Sequence, residues 1–277
     1  MRTLRQPGPV FPDRLKTAVG HGRQLDYALE PGLTLNEALM RPVVASGLRS
    51  GTAVFSGAVL APFRYVMPGP PRDDDHVAWF SEARVAPGSR VEIANATLGW
   101  RDGAPFVHCH AVWIEPDGSR RGGHILPDET AVQAGTAVRA WAVADVTIAA
   151  EQDAETNFRL FQPVAEEEVS GSRFILARVR PNQDIGAALE DICRRHGITH
   201  AHVRGSVGSL ICPRFADGRA LPDYATEVLV RRAEVSVATG TEIDMIVVDM
   251  QGMAHEGRLQ PGENAVCITF EVMLEPA

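Results

Sequence analysis

Two stretches of the chain space their apolar residues for a helix, and the stretches beside them alternate as strands do. In NQDIGAALEDICRRHG, Ile185, Leu189 and Ile192 fall on one face and Gly197 supplies a stop. The strand FILARVRP (174–181) precedes this helix, and the glycine-bearing strand ITHAHVRGSVGS follows it. The first half shows the same order in LDYALEP, LTLNEALMRPVVASG and TAVFSGAVL. There Thr34 and Glu37 have the spacing of a capping box and Gly47 takes the stopping role, while Pro42 is expected to kink or divide the helix. Between the halves, the acidic, weakly periodic stretch 151–172, with Gly171 and Ser172 near its end, reads as a linker whose Phe158, Leu160 and Phe161 could dock on a domain.

The ends of the halves also align. At an offset of 134 residues, FVHCHAVWIEPDGSRRGGHILPDETAV lies over TEIDMIVVDMQGMAHEGRLQPGENAV, with Gly118 on Gly252, Gly123 on Gly257, Pro127 on Pro261 and Ala131-Val132 on Ala265-Val266. A tandem duplication is the expectation: a first domain over 1–150, the linker over 151–172 and a second domain over 173–277. Each would be an α+β unit of one helix and several strands.

Within FVHCHAVWI, alternation puts His108 and His110 on one face with Val112 and Ile114. Cys109 then faces the other way with Val107, Ala111 and Trp113, as a core thiol. The turn at PDGS brings the chain back toward His110, so His124 is tested by parity. A two-residue turn puts it opposite Ala111, on the wrong face. A three-residue loop, or one bulge at Gly122-Gly123, puts it on the right one. The odd loop or bulge is the expectation, and with it His108, His110 and His124 project together as three imidazole donors with a free coordination position. A divalent metal is the implied cofactor, zinc first, with iron and manganese also possible. The plainer alternative is three hydrogen-bonded strand histidines without a metal. At the same offset these positions become Glu242, Asp244 and Arg258, a trio suited to an ion-pair network and to a degenerate counterpart of the site.

HGITHAHVRG offers a second cluster, His200, His202 and Arg204 on one strand face, which could hold an anionic ligand or lie at an oligomer interface. His76 and His255 read as isolated surface residues, and Asp73, Asp74 and Asp75 as a solvated loop. For acid–base work the candidates are Asp145, on a strand matched to the one carrying Glu271, and Glu115 near the turn. Arg120 or Arg121 could hold a carboxylate.

Composition narrows these readings. A net charge of −8 and a pI near 5.6 argue against a broad phosphate-binding surface. The four cysteines never form C-x-x-C, so neither a disulfide framework nor a cysteine zinc knuckle is expected. No signal-peptide core and no run of ~20 apolar residues occurs, which reads as a cytoplasmic protein without a membrane partner. G-x-S-x-G, G-x-x-x-x-G-K-[ST] and a helix-opening G-x-G-x-x-G are all absent, which disfavours α/β-type nucleophilic hydrolases and nucleotide-binding enzymes.

Taken together, H-x-H, the DG turn, GGHI and a downstream E-V strand resemble the PPC (plants and prokaryotes conserved) domain. RFILARVRPNQDIGAALEDICRRHGITHAHVRGSVGS and HEGRLQPGENAVCITFEVML carry the resemblance in the second half, and FVHCHAVWIEPDGSRRGGHILPDE in the first. The resemblance implies two tandem α+β domains, each an antiparallel sheet with one main helix, and assembly into homo-oligomers, typically trimers. It also implies a metal on His108, His110 and His124. Plant members carry AT-hooks and bacterial members a DNA-binding label. No R-G-R-P-like core occurs here, so DNA as a partner rests on fold analogy alone. The leading reading is a metal-binding protein that acts on or senses a small acidic metabolite. The alternatives are a DNA-associated regulatory oligomer and a structural or protein-interaction module.

Overall fold

Helix α1 (Leu35–Ala45) begins at Thr34, whose side chain accepts from the Glu37 backbone while the Glu37 carboxylate accepts from Thr34, completing the capping box. Pro42 neither divides nor ends it. The helix runs on to Ala45, and Gly47, at φ 72°, turns the chain away. Helix α2 (Ile185–Arg195) uses Asp184 as its cap and buries Ile185, Leu189 and Ile192, with Gly197 at φ 68° beyond its end. The backbone N–H following each cap reaches the matching loop: Leu35 donates to the Thr130 carbonyl and Ile185 to that of Asn264.

The protein is described by a computed structural model covering residues 1–166 and 172–277; Gly171, at the end of the stretch read as a linker, lies outside the described residues. In the first half the main strands are β1 (Leu15–Ala28), β2 (Ser50–Phe55), β3 (Arg90–Arg101), β4 (Ala104–Ile114), β5 (Arg120–Ile125) and β6 (Ala137–Val143). A hairpin of β7 (Val146–Gln152) and β8 (Arg159–Ala165) follows. The second half holds β9 (Ser172–Val179), β10 (His200–Leu210), β11 (Glu227–Ser236), β12 (Gly240–Val248), β13 (Ala254–Arg258) and β14 (Val266–Pro276). The first half pairs antiparallel in the order β1-β6-β2-β3-β4-β5. The second pairs as β9-β14-β10-β11-β12-β13, the same order. The fold is α+β, mostly antiparallel sheet with two helices among the described residues.

The stretch read as a linker differs from expectation. Most of it is the β7–β8 hairpin, and Phe161 packs with Trp141, Phe174 and Met273 in a cluster drawn from both halves. Leu160 and Phe161, adjacent on β8, are both buried, as are the polar Asp153, Glu155, Thr156 and Gln162, so burial here follows no alternation that the sequence could show beside the acidic run. The halves also meet through a strand pairing and a second apolar contact. The first part of β1 pairs antiparallel with β9, from Leu15 opposite Val179 to Gly22 opposite Ser172. Val112 of the first half also packs with Leu229, Ile246 and Val248 of the second. Each half keeps its own core, one around α1 and the fully buried Trp113, the other around α2 and Phe270.

Candidate metal centre

The β4–β5 turn decides the parity. Glu115 pairs with Ser119 through the backbone, leaving the three-residue loop Pro116-Asp117-Gly118 with Gly118 at φ 86°. From Ile114 opposite Arg120 the register runs unbroken to His110 opposite His124. The odd loop is present and the bulge is not. Gly122 and Gly123 serve another end: a Cβ on Gly122 would sit 2.4 Å from Val248 Cγ2, and one on Gly123 2.6 Å from the Val66 carbonyl oxygen. These glycines let the hairpin lie against the second half and the neighbouring strand.

His108, His110 and His124 converge, with donor nitrogens all within 4.8 Å of one another. Their rings lie 4.7 Å (108–110), 4.8 Å (108–124) and 5.3 Å (110–124) apart, centroid to centroid. Nδ1 of His110 donates to the Val228 carbonyl oxygen at 2.9 Å, and Nδ1 of His108 meets the Glu271 carboxylate at 3.0 Å. With both Nδ1 atoms engaged as donors, the two Nε2 atoms face each other only 3.0 Å apart. Two lone pairs at that distance repel unless a proton or cation lies between them. Glu227 Oε2 adds negative charge, 2.7 Å from His110 Nε2. Nδ1 of His124 is buried without a hydrogen-bond partner. Burial opposes the charge on His108, but the Glu271 carboxylate, helped by Glu227, holds its pKa above the ordinary histidine value. Burial, then the charges of His108 and His110, hold His124 well below it. His124 is thus kept neutral and able to donate a lone pair.

The histidines close one end of a cavity of about 70 Å³ walled by Trp79, Phe80, Phe158, Leu160 and Ile268. His76 is not an isolated surface residue: it lies 4.3 Å from the Trp79 ring and 4.9 Å from that of Phe158, with Nδ1 on Asp73 at 2.7 Å. Part of the acidic loop therefore fixes the aromatic wall. Cys109 lies in the core with its thiol pushed up by burial, and is not a donor.

The other candidates lie elsewhere. Asp145 is buried at the end of β6 and accepts from the His21 backbone at 2.7 Å. Glu115 accepts the Ser119 hydroxyl within the turn. Arg120 bridges Glu92 and Glu256, and Arg121 reaches Met253 sulfur. None of these four lines the cavity. His202 and Arg204 share a separate groove with Arg231 and Arg232, but His200 is exposed and bonds Thr199 instead. A register shift between Val203 and Gly205 breaks the alternation assumed for that strand, and Arg204 is already paired with Glu275. Arg258 lies opposite Asp244 and pairs with Glu242, while Asp244 faces Arg231 at 3.6 Å; these are ion pairs on the surface. His255 is held by Asp249 at 2.8 Å.

Glu227 and the Val228 carbonyl escaped the sequence reading, and Glu271 was noted only as a marker of its strand. Glu271 is 163 residues from His108, and no local spacing links them. The one available signal was the parallel between the halves, which gives the second half a main strand for each main strand of the first.

No known family profile matches the chain, and no curated protein does. Among solved structures, it is similar to a plant- and prokaryote-conserved (PPC) protein of Pyrococcus horikoshii at 16% identity and TM-score 0.42, covering 55% of this chain and 96% of that one. It is also similar to a metal-containing protein of Archaeoglobus fulgidus at 16% identity and TM-score 0.39, covering 52% and 96%. A third, from Ralstonia eutropha and described by name as DNA-binding, stands at 17% identity and TM-score 0.38, covering 49% and 88%.

Proposed function

We propose that His108, His110 and His124 hold one divalent metal, zinc first, and that the cavity beside it receives a small molecule that the protein acts on or senses. The observation that carries this reading is the pair of facing Nε2 atoms 3.0 Å apart, each backed by a partner on Nδ1. That is the arrangement metal-bound imidazoles adopt, with the outer partner fixing the tautomer and the ring. Three imidazole nitrogens suit zinc at about 2.0–2.1 Å, and the unpartnered Nδ1 of His124 fits the same account. A divalent ion there would act as a Lewis acid on a ligand carbonyl. The chain's own residues orient the rings, exclude bulk water through the aromatic wall and keep a carboxylate, Glu227, beside His110.

In the same reading, residues 1–150 and 173–277 are two copies of one unit, the second contributing the carboxylates instead of a second metal site. The chain's resemblance also points to a homo-oligomer. DNA binding would require a basic stripe that a net charge of −8 does not favour.

Elemental mass spectrometry on tag-free protein, purified without chelator, tests the proposal. About one zinc, iron or manganese per chain is expected, lost in His124→Ala. Protein that takes up no metal even with zinc added would sink it.

A further inference from the structure

One ladder of the second sheet is broken. Strands β10 and β11 pair as far as His202 opposite Glu234 and resume only at Val207 opposite Leu229. The matching boundary of the first half, β2 against β3, runs unbroken from Gly51 opposite Leu98 to Phe55 opposite Ala94. Residues 203–206 and 230–233 are thus left without the ladder partners that a continuous sheet would give them. Side chains meet part of that need. The Ser206 hydroxyl accepts from Val230 N at 3.3 Å, and Asn95 of the first half donates through Nδ2 to the Val230 carbonyl oxygen at 3.0 Å. Asn95 is fully buried, and its Oδ1 has no hydrogen-bond partner.

The gap opens into the groove of His202, Arg204, Arg231 and Arg232, about 360 Å³ in volume, with Asn95 in its lining. That is room for a small metabolite. Register shifts at Val203/Gly205 in β10 and Val230/Arg232 in β11 bring Arg204, and the adjacent Arg231 and Arg232, to the groove together. Each guanidinium already faces a carboxylate: Arg204 has Glu275, Arg232 has Glu234, and Arg231 has Asp244 and the Glu256 it shares with Arg120. His202 stands in register between Glu234 and Glu275. The wall therefore sets both signs side by side, without the excess of positive charge that a simple anion would need. A ligand of one charge meets its own sign as well as the opposite one, whereas a ligand carrying both is matched by both. Trp141, with Arg204 5.4 Å from its ring centre, and Val54 supply an apolar side.

We propose that this groove binds a free α-amino acid with an apolar side chain, as the zwitterion. The carboxylate goes to Arg231 and Arg232, the ammonium to Asn95 Oδ1 and Glu234, and the side chain to Trp141 and Val54. No residue lining the groove lines the histidine cavity, so this site stands apart from the metal reading.

Three probes test it: L-leucine, N-acetyl-L-leucine, which keeps only the carboxylate, and L-leucinamide, which keeps only the ammonium. Protein labelled with 5-fluorotryptophan has four tryptophans, and Trp141→Phe identifies the Trp141 resonance by fluorine NMR. Leucine is expected to shift that resonance, with both derivatives at least about tenfold weaker because each lacks one charged partner. Arg232→Met, at a side chain that is largely exposed, should weaken leucine about tenfold and leave leucinamide unchanged. Asn95→Ala should weaken leucine and leave N-acetyl-leucine unchanged. A Trp141 signal that leucine does not move, or derivatives that bind as well as leucine, overturns the proposal. Unchanged leucine affinity in Arg232→Met overturns the carboxylate assignment, whether or not Asn95→Ala folds.

Discussion

Glu271 shows how much one side chain can do without touching a ligand. It is almost fully buried on β14, both its oxygens lie near His108 Nδ1, and Arg178 is its cross-strand partner. Its task is to hold one imidazole in one tautomer and orientation. Glu271→Gln keeps the shape and removes the charge. Zinc affinity should fall about 10–100-fold on losing such an outer partner, as read by competition with a chromogenic chelator. If the residue serves packing alone, affinity would stay at the wild-type value while the melting temperature moved. The types of the three donors, and their shared face, were legible because alternation along a strand is a strict rule. Asp145 and Arg120 lie away from the cavity, Asp145 taken up by the His21 backbone and Arg120 by Glu92 and Glu256, one from each half.

At the scale of elements, the hairpin is a parity device. Removing Ser119 with the three-residue loop kept puts Arg120 opposite Glu115 and slips β5 by one position, which sets His124 opposite Ala111 and turns it to the opposite face. Metal per chain should fall close to zero in this deletion while circular dichroism keeps its strand signal. Retention of a full equivalent would show that the loop does not set the site. Much of the element layer was readable: the capping box at Thr34, the glycine stops, the helical face of α2 and the odd loop all follow from local chemistry. The helix survives Pro42 because its last turn is short and Val43 is buried in the core, a tertiary contact that local propensity does not contain. The β7–β8 hairpin was missed because seven-residue strands beside an acidic run give few repeats of the alternation. The bulge in β10 was missed because glycine accepts both regular and irregular backbone.

At the scale of the whole molecule, a buried charge cluster ties that hairpin to the second half. Asp153 accepts from Arg178 at 2.8 Å and Arg180 at 2.6 Å, and all three are buried. Burial alone would raise the Asp153 carboxyl, but the hydrogen bond and charge of Arg178, then Arg180 and Thr156, hold it far below the usual carboxylate range. A depressed folded-state pKa contributes stability above the unfolded value, near 4, and that stability is lost as pH falls through the folded value. Asp153→Asn removes the carboxylate that the two guanidiniums share and should cost about 3–5 kcal/mol at neutral pH. Urea unfolding from pH 7 downward checks both parts: the wild type should lose stability below about pH 4, and the variant should lack that increment. An equal slope in both would rule out Asp153 as its source.

The candidate metal centre has its imidazoles in one half and their carboxylate and carbonyl partners in the other. A substitution at 227 or 271 is therefore an event in the chemistry of 108 and 110. Neither half holds both the imidazoles and their outer partners, so the site belongs to the contact between the halves and would be lost with either.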